Sequence, residues 1–227
     1  MSTPTRFKHG VNNSAVNSAL GAMGQPDPTK FHTFFDDFDT YAAGDWTITN
    51  VGVTPTVALT AFDGGAVLQT NTAGIADSSY RQKTGASYSF ATGKKVWFKA
   101  RFQVSDAVES SIVFGLQVVD TTPLAVSDGM YFLKADGAAT YSFISATGSV
   151  LTTAAAVGSL VTATMSELAF YYDGSQEVQY FQDGILLGRM AVATLPTGLV
   201  TVSWGMANGE AVAKTMTVDY IFAAKER

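Results

Sequence analysis

The sequence FYYDGSQEVQYFQDGILLGRM, residues 170–190, contains two Asp-Gly pairs, Asp173-Gly174 and Asp183-Gly184, between short runs of aromatic and aliphatic residues. Asp-Gly is a preferred sequence for a two-residue β-hairpin turn, because both positions accept a positive φ angle. The spacing therefore predicts three antiparallel strands in series, joined by two tight hairpins.

Alternation of apolar and polar residues extends the strand pattern through the chain from residue 34. In KVWFKARFQV, residues 95–104, every second residue is apolar, which predicts a half-buried strand. The run SIVFGLQVVD, residues 111–120, is apolar on both faces, as expected for a central strand between two layers. Shorter strands are predicted at Gly129 to Lys134, Thr140 to Ile144, Leu168 to Tyr172, Val178 to Gln182, Ile185 to Val192, Val200 to Met206 and Thr215 to Ala223. Closely spaced turn residues between them favour a β-sandwich or barrel.

Composition excludes several classes of protein. The chain has 227 residues, a net charge of −5 and no cluster of Lys and Arg, which argues against nucleic-acid binding. It has no cysteine, so it can form neither a disulfide nor a thiolate site. No run approaches the roughly 18 apolar residues of a membrane span, and MSTPTRFKHG lacks the apolar stretch of a signal peptide. We therefore expect no membrane contact and no secretion by the general route.

Residues 1–33 differ from the rest of the chain and predict an N-terminal arm before a β-sandwich domain at 34–227. Three basic residues against one acid give the arm a charge of +2, so the total of −5 leaves −7 for the domain. Residues 12–24, NNSAVNSALGAMG, have the spacing of one or two helical turns. The arm is either a loose terminus or a segment that orders on a partner. Its candidate partner-binding residues are Phe7, Val11, Leu20, Met23 and Phe31.

A second candidate contact surface is the uncharged stretch TGSVLTTAAAVGSLVTATM, residues 147–165. A short helix is predicted at residues 153–157, although its Thr, Val and Gly residues favour strand and loop. Exposure of the apolar residues from 150 to 161 would make this stretch adhesive toward other proteins.

The acidic run FFDDFDTY, residues 34–41, raises the question of a catalytic or metal site. On a strand only Asp37 and Asp39 have the spacing to share a face, and a cation site would need Asp219 as well. The two histidines, His9 and His32, both lie in the arm, so the domain has no imidazole for a serine triad. We predict no catalytic residue, no metal site and no cofactor, and interpret the acids as the soluble edge of the first strand.

Trp97 is the best candidate for stacking against a sugar. The alternation in residues 95–104 places it on the outward face with Lys99 and Arg101. Packing in a core or an interface is the alternative for Trp97, as it is for Trp46 and Trp204, because stacked sheets can bury both faces of a strand.

The opening F.DDF strand, the hairpin YYDG...V.YFQDGILLG and the closing strand MTVDYIFA resemble the concanavalin A-like lectin/glucanase jelly roll. That resemblance implies an all-β, antiparallel two-sheet sandwich in which the first and last strands pair. The hydrolase branch of this fold carries a Glu-x-Asp-x-x-Glu strand, which this sequence lacks, and lectin-type calcium ligands are not matched either. The resemblance therefore implies the fold without the enzyme.

A further resemblance covers nearly the whole chain. MSTPTRFKHGVNN, QPDPTKFHTFFDDFDTY, KARFQVSDA, GLQVVDTTPLAVSDGMYF and NGEAVAKTMTVDYIFAAKER are similar to proteins that tailed bacteriophages encode beside their head genes. This implies a capsid decoration, or cement, protein that binds the major capsid protein, assembles in the host cytoplasm and resides on the virion surface. A homo-oligomer, possibly a trimer, is expected. The alternative is a carbohydrate-binding module displayed on the virion, which would use the concave face and Trp97.

Overall fold

The computed structural model describes residues 29–227, which form β-strands and one short 3-10 helix at Ala43–Asp45. The strands are β1 (Phe31–Asp36), β2 (Trp46–Val51), β3 (Thr56–Leu59), β4 (Val67–Thr70), β5 (Ser78–Lys83), β6 (Val96–Val104), β7 (Ser110–Gln117), β8 (Gly129–Lys134), β9 (Thr140–Thr147), β10 (Val150–Ser159), β11 (Ser166–Tyr172), β12 (Glu177–Gln182), β13 (Ile185–Ala191), β14 (Thr201–Asn208) and β15 (Thr215–Glu226). Within residues 29–227, no helix is long and apolar enough to cross a bilayer.

The strands form two antiparallel sheets packed face to face. Sheet A has the order β13-β12-β11-β6-β15-β4-β3, and β1 also pairs with β15. Sheet B has the order β10-β9-β8-β7-β14-β5-β2. The predicted all-β sandwich is confirmed, and so is the pairing of the first and last strands, in which Phe31 lies opposite Glu226. Strand β1 begins at Phe31, three residues before the predicted start of the domain, because its pairing with β15 extends to Glu226.

The main core lies between the sheets and is built from the inward residues of both. In β6 the buried residues alternate with half-buried ones, as the sequence predicted. Phe102 from sheet A stacks on Phe114 from sheet B with ring centroids 4.1 Å apart. Trp46 and Trp204 meet edge to face in the same core at 5.9 Å, so both serve packing.

One of the two predicted tight hairpins is confirmed. Asp183 and Gly184 have φ angles of 51° and 75° and form the two-residue turn between β12 and β13. The three antiparallel strands in series are confirmed as well, and Asp173-Gly174 lies in the hairpin between β11 and β12. Only the predicted two-residue length of that turn is wrong, since four residues, 173–176, separate the strands. The Asp173 carboxylate accepts hydrogen bonds from the backbone N–H of Ser175 at 2.7 Å and of Glu177 at 3.2 Å, which stabilises the longer loop.

The predicted helix at residues 153–157 is also wrong, because these residues belong to β10. The strand pairs regularly with β9 up to Ala154 and again from Gly158, with a bulge between them. Ala156 in the bulge has a φ of 50°, a conformation that a helix does not contain. The strand that the Thr and Val residues of this stretch favoured is present, although the bulge breaks the alternation that would have predicted it from periodicity.

The acidic run 34–41 forms the end of a strand and a turn. Strand β1 stops at Asp36, so the prediction of one strand that continues through Phe38 is wrong. Phe38 is buried, has a φ of 56° and packs against Trp204. The Asp36 carboxylate accepts a hydrogen bond from the Phe38 N–H at 2.9 Å, which fixes this turn.

Candidate binding surface on the outer face of sheet A

The outer face of sheet A carries a group of partly exposed aromatic side chains, which we call the aromatic face. It extends over five adjacent strands, β1, β15, β6, β11 and β12, because alternate residues of each strand point away from the core. Trp97 is half-buried on this face, as the alternation in β6 predicted. The members are Phe31, Phe35, Trp97, Tyr171, Phe181, Tyr220 and Phe222.

Trp97 is held between two aromatic neighbours. Tyr171, directly opposite it on β11, stacks on it with centroids 5.4 Å apart and planes inclined by 29°. Phe31 contacts it edge to face at 5.8 Å. Phe31 was assigned to the partner-binding arm, but it is the first residue of β1 and packs within the domain. Cross-strand pairs of this kind stabilise a sheet and also hold the rings in fixed orientations.

A depression of about 330 Å³ lies beside the Trp97–Tyr171 pair. Its floor includes Ala169, which sits between Lys99 on β6 and Phe181 on β12, and this small side chain leaves the space open. The lining is mostly apolar, so the depression offers a ligand contact area and few hydrogen bonds. It is lined by Trp97, Phe98, Lys99, Glu167, Ala169, Phe170, Tyr171, Phe181, Gly184 and Phe222.

The charged side chains at the border of the depression pair with one another. Lys99 lies 3.0 Å from Glu167, and Arg101 forms an ion pair with Asp219. The Tyr220 hydroxyl donates a hydrogen bond to Glu167, and burial followed by this contact raises the pKa of Tyr220. The surface therefore presents charge that is already neutralised locally.

Among the described residues, the acids of the run 34–41 and Asp219 are not grouped as ligands of one metal ion. Asp219 pairs with Arg101, so it is not available to Asp37 and Asp39. Over the described residues, 29–227, no three His, Asp or Glu side chains lie close enough together to hold a metal ion. Burial raises the pKa of Asp36, but its carboxylate is used by the turn at Phe38.

His32 lies in β1, although the sequence division placed it in the arm. Its Nε2 atom is 2.9 Å from the Ser87 hydroxyl, and its ring packs against Tyr88 at 5.0 Å. Burial, and then the charges of Arg227 and Lys225, lower the pKa of His32. These contacts give His32 a packing role at the edge of the sandwich.

The central part of the outer face of sheet B is covered. A second hydrophobic cluster there consists of Tyr80, Val113, Val126, Tyr131, Ile144, Ala146 and Ala207. The loop 118–128 contributes Val126 to it and is fixed by Gln82, whose Nε2 donates to the Val118 carbonyl at 2.8 Å and whose Oε1 accepts from the Asp120 N–H at 2.8 Å. The covering loop leaves sheet A as the face with open aromatic side chains.

The remaining predicted contact residues fall into two groups. Phe7, Val11, Leu20 and Met23 lie outside the described residues. The stretch from 150 to 161 is largely exposed, apart from the buried Leu160, and its role as a contact surface stays a prediction. Tyr171, which stacks on Trp97, and Phe181 and Phe222, which line the same depression, were not predicted from the sequence. All three occupy outward positions of predicted strands, but the cross-strand register that brings them together is not visible in the sequence.

Comparison with solved structures shows the concanavalin A-like jelly-roll fold shared by lectins and glucanases. A β-glucanase from Bacillus licheniformis aligns with a TM-score of 0.61 and 12% identity over 84% of this chain and 97% of its own. Peanut lectin aligns with a TM-score of 0.57 and 12% identity over 87% and 98%. A protein of unknown function from Shewanella oneidensis MR-1 aligns with a TM-score of 0.59 and 13% identity over 91% of both chains. No protein-family model and no curated protein matches the sequence.

Proposed function

We propose that this protein is a non-enzymatic decoration protein of a bacteriophage head, which binds the outer surface of the major capsid protein shell and stabilises it. The observation that carries this proposal is the aromatic face, an open apolar surface whose charged neighbours, Lys99 and Arg101, are already paired. Such a surface gains binding free energy mainly by burying area against another protein. We infer the partner, the major capsid protein, from the sequence resemblance to phage head proteins.

The N-terminal arm enters the domain beside this face. Phe31 begins β1 and packs on Trp97, so the point at which residues 1–28 join the described chain lies near the aromatic face. An arm and a face that start at the same border can engage one partner surface together, and linked contacts raise the overall affinity. We therefore keep Phe7, Val11, Leu20 and Met23 as proposed contacts with the shell.

The charge arrangement on the aromatic face argues against glycoside hydrolysis there. That reaction uses two carboxyl groups on opposite sides of the scissile bond, one of them a proton donor. Here Glu167 is held by Lys99 and by the Tyr220 hydroxyl, and Asp219 is held by Arg101. The sequence also lacks the acid strand of the hydrolase branch, so we propose binding without catalysis.

Co-sedimentation with shells assembled from the major capsid protein tests this proposal. Phe35, 60% exposed on the aromatic face, and Leu199, 59% exposed outside it, provide matched positions. We expect Phe35→Ser to weaken shell binding by about tenfold or more, as truncation of a buried aromatic contact does. Leu199→Ser should bind within about twofold of the wild type. Wild-type protein that fails to sediment with shells, or equal losses in both variants, would refute the proposal.

A deletion tests the contribution of the arm separately. It should end at residue 28, because a cut at residue 33 would remove half of β1 and with it the Phe31–Trp97 contact. The shortened protein is expected to keep the far-ultraviolet circular dichroism of a β-protein and to lose affinity for shells. Unchanged affinity would limit the shell contact to the sandwich.

Carbohydrate binding is the second candidate function. The stacked pair Trp97 and Tyr171 beside the depression favours it, since aromatic rings bind the apolar faces of sugars. The mostly apolar lining argues against it, because specific small-molecule sites need converging polar groups. A glycan array decides the matter: a hit that is lost in Trp97→Ala, together with unimpaired shell binding by that variant, would favour the carbohydrate module.

A further inference from the structure

Strand β10 is an unprotected edge of the sandwich. It pairs with β9 on one side only and ends sheet B. Residues 147–165, which include the whole strand, contain no charged side chain. An edge strand presents unpaired N–H and C=O groups, and proteins usually guard such edges with charges, proline or bulges. The only such protection in β10 is the bulge between Ala154 and Gly158. Residues Val150–Ala154 pair regularly with β9 and lack this protection.

The other sheet edges of the described chain are protected in one of these ways. Strand β3, at one edge of sheet A, is uncharged, but it has only four residues and directly follows Pro55. Strand β13, the edge of sheet A, contains Arg189, which lies 3.0 Å from Glu177. Strand β2, at the far edge of sheet B, follows directly after Asp45, which pairs with Lys83 at 2.9 Å. The contrast marks β10 as the edge best suited to another strand.

Apolar side chains surround this free edge. Val150 and Leu151 are exposed on β10 itself. Strand β13 of the other sheet lies beside β10 and exposes Ile185, Leu186 and Leu187. A strand that adds to β10 would therefore gain main-chain hydrogen bonds and cover apolar surface as well.

We propose that β10 pairs with β10 of a second copy of this chain, antiparallel across a two-fold axis, through residues Val150–Ala154. A two-fold axis brings any strand against itself in antiparallel orientation, so a single sequence satisfies both sides of the contact. The chain as a whole carries −5, but no charge lies on this strand to repel its copy. The pairing joins the two B sheets into one and gives a dimer, which is a homo-oligomer as expected from the sequence but not the trimer considered there.

Sedimentation velocity over a concentration series tests the pairing. Leu151 is 53% exposed on β10, and Val51 is 54% exposed on β2, the opposite edge of the same sheet. Leu151→Lys places a charge in the proposed contact, so we expect the dimer dissociation constant to rise by about tenfold or more. Val51→Lys should leave it unchanged. A wild type that stays monomeric at several hundred micromolar, or equal effects of both variants, would overturn the proposal.

Single cysteines give a direct readout, because the chain has none of its own. At the centre of an antiparallel pair the facing Cα atoms lie roughly 4.5 to 5.5 Å apart, within the range of a disulfide. Under mild oxidation, at least one of Leu151→Cys, Thr152→Cys and Thr153→Cys should form a disulfide-linked dimer quickly. Val51→Cys is the control and should stay monomeric. Failure of all three to cross-link would exclude this edge.

These outcomes are separate from those of the proposed function. The β10 substitutions leave the aromatic face unchanged, and Phe35→Ser leaves the β10 edge unchanged. Failure to cross-link together with normal shell binding would refute only the proposed dimer. A protein that cross-links but does not bind shells would refute only the proposed capsid role.

Discussion

The two outer faces of this sandwich contain similar side chains in different surroundings. On sheet A, Trp97 and Tyr171 are half-buried and open toward solvent, with paired charges at their border. On sheet B, Tyr80 and Tyr131 are buried in a cluster that also contains Val126 of the loop 118–128. The comparison teaches that the composition of a strand does not decide whether its outward aromatic residues form a binding surface. A loop that folds back over the sheet decides it.

Glycine makes the closed face possible. Tyr131 on β8 lies opposite Gly115 on β7, and Tyr80 on β5 lies opposite Gly205 on β14. Each tyrosine occupies the space that a side chain on the neighbouring strand would need. On sheet A no glycine faces Trp97: Ala224 lies opposite it on β15, and Tyr171 lies opposite it on β11. The large rings of Trp97 on β6 and Tyr171 on β11 support each other there, and the outer face of sheet A stays accessible to solvent.

The largest difference between the faces should appear when their aromatic residues are truncated. Tyr131 is 1% exposed, and Tyr131→Ala should lower the free energy of unfolding by about 3 to 5 kcal/mol, as for other buried aromatic residues. Trp97→Ala removes a half-buried ring and should cost about 1 to 2 kcal/mol. Urea denaturation followed by circular dichroism measures both. Equal losses would mean that the aromatic face is as closed in solution as the outer face of sheet B.

A smaller effect should follow when a methyl group is added beneath Tyr131. The Cβ of Gly115→Ala would lie 2.5 Å from the Met130 carbonyl oxygen and the Tyr131 Cα, which are backbone atoms with little freedom to move. We expect a loss of about 2 to 3 kcal/mol, measured as a lower Tm. Gly44→Ala is the control, because no atom lies within 4 Å of its added Cβ. A Gly115→Ala protein as stable as Gly44→Ala would show that sheet B can shift to accept the side chain.

Local sequence patterns predicted the strands that alternate or carry a clear turn. Strand β6 and the Asp183-Gly184 hairpin lie where the sequence placed them, because alternation and turn chemistry depend only on neighbouring residues. The short strands β2 to β5 were not identified. Alternation did not indicate β10 because a bulge interrupts it. The turn at Asp173-Gly174 is longer than the two residues predicted, because the Asp173 carboxylate stabilises a longer loop.

Contacts between residues that are far apart in the chain could not be predicted from the sequence. Trp97 could be placed outward, but its stack with Tyr171 depends on the register between β6 and β11. Arg81 shows the same limit more strongly. It is 2% exposed between the sheets, donates to the Gln69 side chain at 2.8 Å and lies 4.9 Å from the Trp204 ring centre. No local pattern predicts a core position for an arginine, since it requires partners contributed by three distant segments.

The last test follows the ionisation of Tyr131, on the outer face of sheet B, as the pH rises. Burial raises the pKa of Tyr131 to about 12, whereas a tyrosine in the unfolded chain ionises near 10. Between these two pH values the folded protein keeps the Tyr131 proton that the unfolded chain has lost. The contribution of protonated Tyr131 to the free energy of unfolding is therefore full below about pH 10 and is lost as the pH rises to about 12. Tyr131→Phe keeps the ring and removes the ionisation. The free energy of unfolding of the wild type should thus fall by about 2 to 3 kcal/mol relative to Tyr131→Phe between pH 9 and 12. Other buried tyrosines titrate equally in both proteins and cancel in the difference, so parallel curves would mean that the loop 118–128 lets water reach Tyr131.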